Sequence, residues 1–115
     1  MIAVKRIYEP PSPEDGYRVL VDRLWPRGLA REQACLDEWR RDLAPSDALR
    51  RWFGHDPLRW EEFRRRYREE LQGAELAPLA AKARQGRLAL VYAAADREHN
   101  NALVLKEALE ELLEG

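Results

Sequence analysis

Polar side chains follow two apolar segments of the chain, at the point where each segment ends. Residues 19–21 are Val-Leu-Val and lead into residues 22–28, which read Asp-Arg-Leu-Trp-Pro-Arg-Gly. Residues 88–95 are mostly apolar and lead into residues 96–101, which read Asp-Arg-Glu-His-Asn-Asn. Ligands of open α/β sheets bind at the carboxyl ends of the strands. These two polar segments are therefore the candidate ligand-binding loops.

The first loop offers two guanidinium groups. Arg23 and Arg27 would converge on one face if the turn between them were helical, and each can fork onto carboxylate or phosphate oxygens. The alternative is that Arg23 pairs with Asp22 or Asp96 and braces the loops. Trp25 is interpreted either as a wall that stacks on a planar ligand or as a filler of the core. We predict an anion-binding site that includes these arginines, Trp25 and Asp22.

The second loop precedes a predicted helix, whose free backbone N–H groups and positive dipole end favour an anion. His99 and Asn100 lie at this helix start, and His99 can exchange a proton near neutral pH. Asp96 has two alternative roles, as the N-cap of the helix or as the group that orients His99. We predict that Asn100 contacts the ligand and that His99 and Asp96 form an acid–base pair.

Metal and cofactor sites are not predicted. Cys35 is the single cysteine, so the chain has neither an internal disulfide nor a two-cysteine metal site. His55 and His99 stand outside HxxxH or HExxH spacing, and glycine-rich phosphate loops and GxSxG motifs are absent.

Length and charge define the class of protein. We interpret the 115 residues as a single domain, residues 1–115. Charged residues make up 36% of the chain, but the net charge is −1, so no overall charge attracts nucleic acid or membrane. No apolar run reaches the roughly 18 to 20 residues of a membrane span, and no signal-peptide core is recognisable. We expect a cytoplasmic protein without a membrane partner.

Periodicity predicts strands over residues 2–7, 17–22 and 88–94. Residues 36–43 fit either a helix or a short strand. Helices are predicted from the N-cap Ser46 to Gly54, from Asp56-Pro57 onward, over residues 76–84 and over residues 101–114. In these helices Trp60 and Phe63 should be buried and Leu112 should face inward.

The predicted fold is a small α/β domain. A mostly parallel sheet is covered by helices, and a helical insertion separates the N-terminal strands from the last strand. The sequence leaves open whether the first two strands are parallel neighbours, because about nine residues connect them and a parallel crossover usually needs a dozen or more.

A competing interpretation is a non-catalytic nucleic-acid-binding or regulatory protein. Its contacts would come from arginines interleaved with Trp52, Trp60 and Tyr67. Against it, these aromatic residues lie on predicted buried faces, and neighbouring glutamates offset the charge. The arginines concerned are Arg50, Arg51, Arg59, Arg64, Arg65, Arg66 and Arg68. A third class is a structural protein without a ligand.

A set of distinctive segments runs in order through nearly the whole chain. It comprises residues 20–29, 44–46, 49–53, 55–57, Trp60, Phe63, 66–67, 70–71, 92–94, Asp96, 99–100 and Ala102. With these segments the chain resembles the short, YeaO-like branch of the family named domain of unknown function 488. The resemblance carries over no activity. Longer members are similar in placing a Cys-His-Arg motif after one strand. His99-Asn100 takes that place here, so thiol chemistry is not carried over.

The residues together favour a domain that binds an anionic, phosphate-bearing small molecule or nucleotide in a cleft at the strand ends. Hydrolysis or transfer of that ligand is the reaction class that Arg23, Arg27, His99 and Asp96 would serve.

Overall fold

The centre of the protein is a four-stranded parallel sheet, seen in a computed structural model that describes residues 1–115. The strands are β1 (Ile2–Arg6), β2 (Tyr17–Leu20), β3 (Glu38–Trp39) and β4 (Leu88–Tyr92), in the order β1-β4-β2-β3. All residues of β4 are buried, as its uninterrupted apolar sequence predicts for a central strand covered on both faces. The predicted α/β class with a parallel sheet is confirmed.

The first two strands are not neighbours, which answers the question that the sequence left open. Both pair with β4 in parallel, with Ile2 and Tyr17 on either side of Leu88. The connection, residues 7–16, can reach about 33 Å when extended. It must return along a strand of about 17 Å and cross two strand spacings of about 5 Å each, so it is long enough.

Five helices surround the sheet: α1 (Arg31–Ala34), α2 (Asp47–Phe53), α3 (Trp60–Leu71), α4 (Ala77–Gln85) and α5 (Asn101–Glu114). The caps predicted for α2 are confirmed. The Ser46 hydroxyl accepts a hydrogen bond from the backbone N–H of Leu49, and Gly54 ends α2 with a left-handed φ of 53°. Of the two alternatives for residues 36–43, the short strand is correct, because β3 pairs with β2 and is followed by a 3-10 turn.

Each face of the sheet packs against a different layer. The larger core contains 21 buried residues and joins alternate sheet positions, including Val19 and Leu90, to the inner faces of α2, α3, α4 and α5. The smaller core contains five buried residues, including Leu20 and Val91, beneath the segment that carries Trp25 and Trp39. The strand ends, where the two layers meet, therefore lie between a helical wall and a loop wall.

Two details of the predicted core are corrected. Phe63 is buried, but Trp60 is only partly buried and packs at the edge of the larger core. Leu112 is 44% exposed, because the last turn of α5 borders an open groove beside α3 and α4 and does not reach the sheet. None of the five helices combines the length and the apolar character that a membrane span requires.

Candidate functional site

A cleft of about 510 Å³ lies at the carboxyl ends of β2 and β4, between the loops that leave these strands and the end of α2. It is lined by most of the residues predicted from the sequence: Asp22, Arg23, Trp25, Arg27, His99 and Asn100. Asp96 does not line the cleft but contacts His99 from behind. The structure thus brings together two loops that are about 70 residues apart in the sequence.

The loops converge because their strands are parallel neighbours that are tied together at the ends. The backbone N–H of Val21 donates to the Val91 carbonyl at 3.1 Å, beyond the end of β2. One residue later, Asp22 Oδ2 accepts the backbone N–H of Ala93 at 2.8 Å. Asn101 Nδ2 closes the link from the other loop and donates to the Val21 carbonyl at 2.9 Å. The base of the cleft is therefore held by hydrogen bonds between the two loops.

Arg23 pairs with neither of the partners that the sequence suggested. Its Nε lies 3.3 Å from Oδ1 of Asp47, the first residue of α2, and the side chain is 39% exposed. The approach lacks hydrogen-bond geometry, so this buried Nε has no hydrogen-bond partner. The alternative pairing with Asp22 or Asp96 is not observed, because the start of α2 brings Asp47 against Arg23.

Two further arginines face the cleft. Arg27 is exposed and makes no ion pair, although its backbone carbonyl accepts a hydrogen bond from the Tyr8 hydroxyl at 3.0 Å. Arg50 pairs only with Asp47, with 3.5 Å between Arg50 Nη2 and Asp47 Oδ1. Residues 22–30 contain no helix, so Arg23 and Arg27 reach the cleft from an irregular turn. We refer to Arg23, Arg27 and Arg50 as the cleft arginines.

Trp25 combines a structural contact with a place on the cleft wall. Its indole N–H donates to the Leu29 carbonyl at 2.7 Å, and its ring meets the Trp39 ring edge-on at 5.4 Å. The Arg31 guanidinium lies over the Trp25 ring, 4.8 Å from the centroid. These contacts fix the orientation of Trp25, so it is a rigid part of the wall.

His99 and Asp96 form a hydrogen-bonded pair, with 2.9 Å between His99 Nδ1 and Asp96 Oδ2. The other oxygen, Oδ1, accepts the backbone N–H groups of Glu98 and His99. These hydrogen bonds, the one from Glu98 first, hold the pKa of Asp96 below its usual value. The His99 ring also stands edge-on to Trp60 at 5.3 Å. Because Nδ1 is engaged, Nε2 is the ring nitrogen left for a ligand.

Asn100, and not Asp96, is the N-cap of α5. Its Oδ1 accepts the backbone N–H of Leu103 at 3.1 Å, while its Nδ2 donates to the Asp96 carbonyl at 3.1 Å. Of the two roles suggested for Asp96, the capping role is therefore wrong, and the hydrogen bond that orients His99 is observed. Asn100 is only 2% exposed. Both polar atoms of its side chain are engaged within the loop, so a ligand could contact only the small exposed part of Asn100.

Asp22 is a carboxylate at the base of the cleft. Burial raises its pKa, and the backbone N–H of Ala93, the Asn101 side chain and the positive potential of His55 act in the opposite direction. Its Oδ1 makes no hydrogen bond with the rest of the chain, and the residue is only partly buried. Asp22 therefore both fixes the loop and offers an acceptor to the cleft.

The whole chain is similar in sequence to known proteins. A family model described as the inactive DUF488-N3 subclade matches residues 1–115. The chain belongs to the DUF488 family. YeaO of Escherichia coli, described as an uncharacterized protein, is 41% identical over 116 residues, which cover 96% of this DUF488 chain and 98% of YeaO. The resemblance to the YeaO-like branch is thus confirmed.

Mycobacterial relatives of the DUF488 chain match almost as well. Mb3100c of Mycobacterium bovis and Rv3073c of Mycobacterium tuberculosis, both described as uncharacterized, are each 40% identical over 109 residues. In each case the match covers 94% of this chain and 92% of the relative. No solved structure matches the chain.

The sequence did not single out Tyr8, Arg50 or Asn101 as residues of the DUF488 cleft, and it considered His55 only as a metal ligand. His55 follows Gly54 with a positive φ of 56°, in the turn that carries it from α2 to the cleft. The polar His-Asn-Asn run could have pointed to Asn101. Arg50 and His55 carry no such signal, since their position depends on how α2 packs. No group of three or more His, Cys, Asp or Glu side chains in the structure could hold a metal ion.

The arginine-rich helix of the DUF488 chain presents a different surface. Its outward arginines, which we call the α3 arginines, all pair with glutamates. Arg64 contacts Glu61 and Glu107, and Arg68 contacts Glu107 and Glu111. The remaining pairs are Arg65 with Glu62 and Glu69, and Arg66 with Glu62. Glu62 and Arg66 thus pair four residues apart, while Glu61 pairs with Arg64 three residues away and not with Arg65.

Proposed function

We propose that the cleft binds a phosphate-bearing small molecule, including nucleotides, through the cleft arginines. The observation that carries the proposal is the incomplete pairing of these arginines, since Arg23 and Arg50 share the half-exposed carboxylate of Asp47 and Arg27 has no ion pair. The terminal N–H groups of the 39% exposed Arg23 side chain make no hydrogen bond within the chain, so they can donate to a ligand. A phosphate oxygen is a suitable acceptor, because arginine binds phosphate with short, charge-assisted hydrogen bonds.

The charge of the cleft supports an anionic ligand. Three arginines line it, against a single lining carboxylate, Asp22. The nearby Asp47 offsets part of this charge, but it lies 3.3 Å from Arg23 and 3.5 Å from Arg50 and is itself half-exposed. A concave surface of one sign concentrates ions of the opposite sign. The cleft should therefore attract phosphate more strongly than the protein as a whole, whose net charge is −1.

His99 is assigned the role of positioning the ligand, with Asp96 holding its ring. The backbone around Asn100 begins α5, which adds the positive end of a helix of 14 residues on the same side. Trp25 would limit the cleft from the side of the smaller core. The sequence predicted an acid–base role for His99 and Asp96; the proposal retains the pair for positioning and adds Arg50 and His55 to the lining.

Hydrolysis or group transfer is the second candidate. It is favoured by the 2.9 Å hydrogen bond between His99 and Asp96, because a carboxylate often orients a histidine that acts as a general acid or base. Two observations favour binding alone. The matching subclade is described as inactive. The residues that line the cleft also include no serine, threonine or cysteine to serve as a nucleophile. Binding without turnover is the function that we assign.

A thermal-shift titration with inorganic phosphate tests the proposal. A ligand at ten times its Kd stabilises the native state by about 1.4 kcal/mol, so the wild-type melting temperature should rise with phosphate. Arg23→Ala should abolish this rise and change the unliganded melting temperature little, because its one ion pair is half-exposed. Arg65→Ala is the matched control, an exposed arginine on α3 that should leave the rise intact. Equal shifts in both variants, or none in the wild type, would contradict the proposal.

Turnover is tested separately with the same protein. Release of inorganic phosphate from a panel of nucleotides and sugar phosphates should stay at the level of the buffer. A rate that exceeds the buffer and disappears in His99→Asn would favour the hydrolytic candidate instead.

A further inference from the structure

The base of the cleft carries a hydrogen-bond acceptor that the ionised oxygens of a phosphate ester cannot use. Asp22 Oδ2 accepts the backbone N–H of Ala93 at 2.8 Å, while Oδ1 has no hydrogen bond within the chain. The Asn101 amide lies beside the carboxylate and helps to lower its pKa; one of its two N–H groups donates to the Val21 carbonyl, and the other does not reach hydrogen-bond geometry with Asp22. Arg23 Nε is the one buried side-chain polar atom without a partner, so Asp22 Oδ1 is not sealed in the protein. It faces the cleft and can accept a donor from a ligand.

A fully ionised phosphate ester has no donor on its phosphate oxygens, so an ester that also uses this carboxylate should carry a donor elsewhere in the molecule. Asp22 and Arg23 are consecutive residues, with Cα atoms about 3.8 Å apart, and both line the cleft. One small ligand that carries both a phosphate and a donor can therefore reach the two side chains.

The three cleft arginines restrict the type of donor. An ammonium group beside Asp22 would also lie among these guanidinium groups, and like charges at short range disfavour each other. A neutral hydroxyl has no such cost, and its hydrogen bond to a carboxylate is charge-assisted. A cleft of about 510 Å³ is large enough for a phosphorylated sugar, since small-molecule sites span about 300 to 1,000 Å³.

Resting on the proposed function, we infer that the ligand is a phosphate ester of a polyhydroxy compound, in which the cleft arginines bind the phosphate and Asp22 accepts a ligand hydroxyl. Asp22 thus selects between phosphate esters with one oxygen and fixes the loop with the other.

Isothermal titration of the wild-type protein with two esters tests the inference. Ribose 5-phosphate carries hydroxyls close to its phosphate, and propyl phosphate has the same ionic group without them. Ribose 5-phosphate should bind at least about tenfold more tightly, as expected for a hydrogen bond to a charged group. Equal affinities would overturn the inference and leave the proposed function standing. Failure of both esters to bind would overturn the two together.

Asp22→Asn assigns the preference to this residue. The asparagine Oδ1 can still accept the Ala93 N–H, but its amide presents a donor in place of the second oxygen. The preference for ribose 5-phosphate should vanish, while propyl phosphate should bind as well as before or better, because a negative charge is removed. A preference that persists in Asp22→Asn would overturn the assignment. If the variant does not fold, the wild-type comparison still decides whether hydroxyls are recognised.

Discussion

The α3 arginines and the cleft arginines are chemically identical side chains in different states of pairing. On α3, Glu107 is shared by Arg64 at 2.7 Å and Arg68 at 3.5 Å, and both arginines have a second glutamate. In the cleft, Asp47 is likewise shared by Arg23 at 3.3 Å and Arg50 at 3.5 Å, but neither has a second carboxylate. Arg27 has no carboxylate partner.

The difference shows why the number of arginines in a segment is a poor guide to a binding surface. The α3 segment has the highest arginine density in the sequence, but its charge is offset by glutamates one helical turn away or on α5. The cleft gathers fewer arginines from separate segments and leaves them incompletely paired. Charge available to a ligand is therefore a property of tertiary pairing, and the comparison favours the cleft over the nucleic-acid-binding alternative.

The largest effect is expected on the inner face of α3. Phe63 is 2% exposed and stacks on Phe53 with ring centroids 4.3 Å apart. Phe63→Ala should cost about 3 to 5 kcal/mol of unfolding free energy, because a buried aromatic leaves a cavity. Urea denaturation would measure it. Arg65→Ala on the outer face should change the unfolding free energy far less, because its ion pairs are exposed to solvent. Similar losses for the two would mean that the helix is not divided into a core face and a solvent face.

Removal of the cross-links between α3 and α5 should have a smaller effect. Arg64→Gln with Arg68→Gln breaks the contacts to Glu107 and Glu111. These pairs are partly exposed, so the double variant should lose about 1 to 2 kcal/mol in urea denaturation. If α3 instead binds nucleic acid, the wild type should bind an oligonucleotide with steep salt dependence, and the double variant should not. That result would reverse the ranking of the two surfaces.

Release of the shared carboxylates compares the two surfaces directly. Asp47→Ala frees Arg23 and Arg50, and should raise the affinity for inorganic phosphate by about two- to fivefold, the equivalent of one exposed ion pair. Glu107→Ala removes the carboxylate that Arg64 and Arg68 share, but each keeps another glutamate, so phosphate affinity should not change. Calorimetric titration would measure both. An equal gain in the two variants would remove the distinction between the surfaces.

The smallest effect concerns the pH dependence of stability. Burial raises the pKa of Asp22 above 3.8, so the folded state holds this proton more tightly than the unfolded state. Between the unfolded and the folded pKa, stability should fall as pH rises, and it should level off above the folded pKa. Asp22→Asn lacks this titration. The unfolding free energy of the variant minus that of the wild type should therefore increase as pH rises through the same interval. A difference that stays flat, or shrinks, would contradict the direction of the shift.

Local signals in the sequence were sufficient for most of the secondary structure. Ser46 and Gly54 delimit α2 as predicted, and residues 101–114 form α5, because capping side chains and helical periodicity act within a few residues. The burial of β4 was also recognisable, since a strand covered on both faces needs an uninterrupted apolar sequence. The two loops that form the cleft could be singled out for the same reason, as polar segments directly after such strands.

The sequence could not decide which of two nearby polar residues is the N-cap of α5. Asp96 and Asn100 are both suitable N-caps, four residues apart. Asn100 takes the cap, while Asp96 accepts from Glu98 and His99. Either residue satisfies the local preference, so the choice depends on where the loop enters the helix.

Tertiary structure alone decided the strand order, the insertion of β4 between β1 and β2, and the partner of Arg23. The sequence suggested Asp22 or Asp96, but the packing of α2 brings Asp47 nearer. The same packing adds Arg50 and His55 to the cleft. These positions depend on contacts between segments far apart in the chain, which neither propensity nor spacing encodes. The sequence by itself therefore determined which segments form the elements and the loops, and the packing of those elements determined which charges remain available in the cleft.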